Sequence, residues 1–147
     1  FFGGIGSILA GLFSTRLDRW LGSIARTRRW LGVLGMGTAG IMLLVSMQLH
    51  NPIASVLAIG LAALCSDLAM PAAWGACIDI GGRHTGALSG SMNMMGNAGG
   101  AIAPMVVPLV LAATNNNWAV NMGLFALSYF LGAICWAFIN SDERLHE

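Results

Sequence analysis

Residues 86–104 read GALSGSMNMMGNAGGAIAP and lie within a stretch, Thr85 to Ser141, that contains no charged side chain. A water-soluble domain carries roughly 25% charged residues. This chain carries 9%, with 56% apolar residues and a mean hydropathy of +0.74. A second charge-free run extends from Trp30 to Ser66. Both runs exceed the roughly 20 apolar residues that cross a bilayer as a helix, so the expected fold is an all-α membrane protein. At about 100° per residue, Gly86, Ser89, Gly90, Asn93, Gly96, Asn97, Gly100 and Pro104 share an arc of roughly 120°. Leu88, Met95 and Ile102 fall on the opposite side. One face is therefore small and polar, and the other is bulky and suited to lipid. Gly86, Gly90, Gly96 and Gly100 have the spacing that lets helices pack closely. Asn93 and Asn97, one turn apart, offer donors and acceptors either to another helix or to a solute path.

Outward from this stretch, apolar runs bounded by polar clusters predict spans over about 1–13 (partial), 30–49, 53–78, 86–113 and 118–139. The connector 14–29 holds Arg16, Arg19, Arg26, Arg28 and Arg29, and the later connectors are short. Short links make successive helices antiparallel. Arg83 lies between the third and fourth spans and Arg144 in the tail, while the intervening connectors have no arginine. This alternation follows the positive-inside rule and places 14–29, the 79–85 connector and the C-terminus in the cytoplasm. Trp30, Trp74 and Trp118 fall near expected interfaces, as an aromatic belt does. The arginines of 14–29 would also meet anionic lipid headgroups.

The composition excludes several classes. A net charge of +1 without lysine provides no basic field for nucleic acid. Cys65, Cys77 and Cys135 have no metal-ligand or paired spacing and read as small buried residues. No nucleophile–base pair or phosphate-binding loop is present, so neither an enzyme nor a bound cofactor or metal is expected. The chain begins at Phe1 within an apolar segment, and the N-terminal part of a longer protein is expected to precede it.

Asp67 is the one acid inside an expected span. A charged carboxylate at a helix centre costs about 2.5–3.5 kcal/mol on insertion scales. The readings are a proton-titrating site, a salt-bridge partner, a cation ligand, or an acid that reaches a water-filled vestibule. It stands one turn before Pro71, where backbone groups are loosened. Asn121 and Ser128, seven apart in the last span, share a face.

A glycine-rich helix followed by Gly11-x-x-Ser14-x-Arg16-Leu17 and an arginine-rich loop resembles the repeated loop motif of the major facilitator superfamily. The stretch Asp67 to Pro104 resembles the tenth and eleventh helices of its anion:cation symporter family, most specifically in Asn93-x-x-Gly96-Asn97-x-x-Gly100. The family's loop has an acid after the serine. Here Thr15 follows Ser14, and Asp18 and Arg19 supply mixed charge further on. The resemblance covers the whole chain as about helices eight (partial) to twelve of a twelve-helix fold. It implies a secondary transporter of the inner membrane that moves a small organic anion, such as a sugar acid, with H⁺ or Na⁺. H⁺ symport by alternating access is the expectation, against the missing N-terminal half of the same protein. It also implies substrate contacts from Asn93, Asn97 and Ser89, and a gating or ion-coupling role for Asp67. The alternative from another class is a small non-transporting membrane scaffold or subunit.

Overall fold

The computed structural model describes residues 22–139 together with Ile5, Gly6 and Leu9. Among these the chain is helical throughout, with no strand. The elements are α1 (Ile24–Gln48), α2 (Pro52–Asp67), α3 (Ala69–Gly81), a 3-10 turn (Gly82–His84), α4 (Thr85–Ala113) and α5 (Trp118–Phe138). Three continuous apolar runs are long enough to cross a bilayer: Ile24–Gln48, Pro52–Ala113 and Trp118–Phe138. The middle run takes α2, α3 and α4 end to end. The first expected span and most of the 14–29 loop, with Gly11, Ser14, Arg16, Asp18 and Arg19, lie outside the described residues.

Local chemistry sets most boundaries. Ser23 caps α1 by accepting from the Arg26 N–H at 3.4 Å. From Ile24 onward no glycine or proline interrupts the first turns, and arginine is a good helix former. The helix therefore starts six residues before the expected Trp30, and Arg26, Arg28 and Arg29 are helical rather than part of a loop. Asn51 caps α2 through Ile53 N–H at 2.9 Å, with Pro52 in the first turn where its missing N–H is harmless. At the far end of α4, Asn115 and Asn116 take left-handed backbone (φ 52° and 60°), which asparagine tolerates. Asn117 then caps α5 through Ala119 N–H at 3.0 Å.

The expected third span, 53–78, is two helices broken at Leu68. Pro71 falls in the first turn of α3, where its lack of N–H fits a helix start but not a helix interior. Leu68 N–H bonds the Cys65 carbonyl at 3.3 Å, a tightened i+3 contact. Pro104 and Pro108, by contrast, sit inside α4, which continues through both. The reversal between α3 and α4 falls at Gly82, whose φ of 46° with ψ of −118° suits only glycine.

α1 is the central element, packed mainly on α5 and α2 and less on α3, whereas α4 touches α3 and only lightly α5. Its contacts order the partners in reverse: Gly32 lies on Trp136, Gly132 meets Met36, and Gly40 meets Phe130, so α1 and α5 are antiparallel. Two small cores result. One joins Ala39, Leu43, Ala62 and Ala126; the other joins Ala72, Ala76 and Trp136. Small side chains dominate both, as expected where lipid supplies no hydrophobic drive between helices and close van der Waals packing must do so. Among the described residues of α1 to α5, glycines that meet a neighbouring helix lie on α1, α3 and α5. A methyl at Gly86, Gly90, Gly96 or Gly100 would meet nothing within 4 Å.

Candidate functional site

Three features of the fold carry polar chemistry: the face of α4, the α2/α3 break and one charged end of the bundle. α4 is 29 residues long and contains no buried residue. Asn93 and Asn97 are both exposed, and Ser89 is half-buried. Asn97 Nδ2 donates to the Asn93 carbonyl at 2.8 Å, a bond within the helix. The structure brings Asn93, Asn97 and the four glycines together on one open face and brings no second described helix to it.

The opposite side of α4 differs from expectation in its N-terminal half. Leu88 and Met92 turn into the bundle and line a cavity of about 400 Å³ with Met36, Ala76, Cys77 and Trp136. Cys77 Sγ lies 3.6 Å from Met92 Sδ. Only further along do Met95 and Ile102 stand outward, 70% and 55% exposed. The turn at Gly82 decides this, because it folds the start of α4 back along α3. Nearer the other end, Asn121 is 2% exposed and donates to the Val107 carbonyl at 3.4 Å, whereas Ser128 is exposed and bonds the Leu124 carbonyl of its own helix. Both line one open, largely apolar cavity of about 350 Å³ between α4 and α5.

The α2/α3 break lies deep in the bundle. α2 has 16 residues and α3 has 13. At 1.5 Å per residue they extend about 24 Å and about 20 Å from their outer ends, so Leu68 falls near the middle of the 52–81 run. Asp67 is half-buried there and has no hydrogen-bond or ion-pair partner among the described residues. Gly6 packs directly on the Leu64 carbonyl, and a methyl on Gly6 would also stand 3.2 Å from Asp67 Cβ.

At one end of the bundle, Arg28 forms an ion pair with Asp79 of α3. Its guanidinium lies across Gly75, one turn earlier on the same face. Next to it, Arg29 Nε donates to the Ile139 carbonyl at 2.9 Å, closing the C-terminus of α5. The first turns of α1 thereby tie α3 and α5 together. Sequence reading assigned these arginines to a lipid-facing loop and missed the latch. The available signal was Asp79, an acid in a connector expected on the same side as the arginines. His50 and His84 are both exposed in connecting segments.

No family model matches this chain, and no curated protein matches it.

Proposed function

We propose that this chain forms helices eight (in part) to twelve of a twelve-helix transporter of the major facilitator type. In this reading the protein resides in the inner membrane and carries a small organic anion with a coupling cation by alternating access. The observation that carries the reading is α4. A 29-residue membrane helix without a buried residue, whose glycines and asparagines form one open face, is a wall that needs an opposing wall. In hydrocarbon an amide without a partner is unfavourable by several kcal/mol, so the face is suited to a solute path between two halves. Asn93 and Asn97 supply hydrogen bonds to carboxylate or hydroxyl groups, with Ser89 one turn earlier. The glycines give room for the solute and for an N-terminal half to slide past. In this reading the end that holds the Arg28–Asp79 and Arg29–Ile139 contacts faces the cytoplasm, in keeping with arginine in alternate connectors.

The test is uptake of sugar acids by the complete transporter in proteoliposomes. Asn97→Ala is expected to lower uptake at least tenfold with insertion and expression unchanged, because Asn97 makes no contact that holds the described helices together. Unchanged uptake kinetics would remove Asn97 from the path. Absence of gradient-driven uptake of any carboxylate would favour the scaffold reading.

A further inference from the structure

We infer that the α2/α3 break is a sodium site, formed by the Asp67 carboxylate with the backbone carbonyls that the break sets free. The inference rests on the transport reading only for its use, as the seat of the coupling cation; the site itself stands on the geometry below.

In an unbroken helix the Leu64 carbonyl accepts from the N–H of residue 68. Here Leu68 N–H bonds Cys65 instead, at 3.3 Å, and the Leu64 carbonyl is left without that donor. The Asp67 carbonyl would accept from residue 71, but Pro71 has no N–H to give. Two oxygens thus lose their helical partners within one turn of a carboxylate that has none among the described residues. In hydrocarbon such a set is unfavourable unless something positive meets it. Discontinuous membrane helices bind coupling cations at half-helix C-terminal ends of this kind.

The arginines among the described residues lie elsewhere. Arg28 is held by Asp79, Arg29 by Ile139, and Arg26 is exposed at the start of α1. Arg83 is separated from Asp67 by the whole of α3, about 20 Å. Gly35 of α1 and Gly6 pack on the break, and both are neutral. Within the break, Cys65 is a free thiol and Ser66 Oγ donates to the Ala63 carbonyl at 2.9 Å. One carboxylate among neutral carbonyls calls for a monovalent ion, since a divalent one would leave a net positive charge within the membrane. Hard oxygen donors favour an alkali cation over a soft metal. Gly6 keeps the space between the Leu64 carbonyl and Asp67 clear of side chain.

The experiment is binding of ²²Na⁺ to the purified protein in nanodiscs, with choline replacing sodium at constant ionic strength and no organic anion present. Saturable binding of about one sodium per chain is expected, with at least tenfold weaker binding in Asp67→Asn. Sodium should also raise the thermal midpoint of wild type and not that of Asp67→Asn. If Asp67→Asn does not fold, Asp67→Glu is read in its place, and its displaced carboxylate should weaken binding severalfold. No saturable binding to wild type, or equal binding to the variants, overturns the site. So does a protein in which Asp67→Asn changes only the response to pH, which would make the ion a proton. The assay uses no substrate, so failed uptake leaves the site standing, and sodium-independent uptake with no bound sodium leaves the transporter reading standing.

Discussion

Two glycines that look alike in the sequence do different things. Gly32 lies beneath the Trp136 indole, and a Cβ there would overlap the ring. Trp136 is 6% exposed and joins Ala72 and Ala76 in one core, so it cannot step aside without opening that core. Gly75 lies beneath the Arg28 guanidinium, with the nearest atom 2.6 Å from a built Cβ. That group ends a flexible side chain, and its ion pair with Asp79 is partly exposed. Gly32→Ala should therefore destabilise by about 1–3 kcal/mol, the usual range for overpacking. Gly75→Ala should stay within about 0.5–1 kcal/mol, the worth of an exposed ion pair. Thermal unfolding in detergent measures both, and equal losses would mean that Trp136 has room to move. Leu88 belongs to the same scale: the helical wheel puts it with Met95 toward lipid, yet it lines the cavity beside Cys77 and Met92.

At the scale of elements, the break at Leu68 separates α2 from α3 because Pro71 begins a helix better than it continues one. Pro71→Ala restores an N–H toward the Asp67 carbonyl and removes the ring that crowds it. The two helices should then join, and amide hydrogen exchange at 68–71 should slow at least tenfold. Unchanged exchange would assign the break to packing of Leu68 against Gly35. The break itself was half legible in the sequence. Proline one turn after a lone acid was visible, but apolar residues on both sides of Leu68 read as one span of 53–78, since hydropathy is blind to backbone continuity. The start of α1 was misread for the opposite reason: Arg26, Arg28 and Arg29 suggested a loop, although charge at a helix end is no obstacle to helix formation.

For the whole molecule, the antiparallel order sorts the connections to two ends. The latch of Arg28, Asp79 and Ile139 lies at one, while at the other Ser46, Ile59, Trp118 and Met122 line a small cavity between α1, α2 and α5. Impermeant thiol reagents should reach Asn51→Cys and Asn116→Cys in intact cells and reach Arg83→Cys only after permeabilisation. The opposite pattern would invert the orientation, and a mixed pattern would contradict the sorting of the ends. α4 stands apart at this scale, meeting α3 through Leu88 and Met92 and leaving Asn93, Asn97 and the glycines uncovered.

The sequence by itself determined that the chain is helical and apolar enough to cross a membrane, and roughly where α4 and α5 begin and end. Those properties are local: a charge-free run, a capping asparagine, a glycine or a proline acts within a few residues of itself. The tertiary structure decided which small residues pack, which side of α4 is open and which arginine meets which partner. Arg28 and Asp79 are 51 residues apart, and Arg29 and Ile139 are 110 apart. Such partners are chosen by how helices cross, which depends on the shape of side chains at every contact and leaves no periodic trace in any one segment.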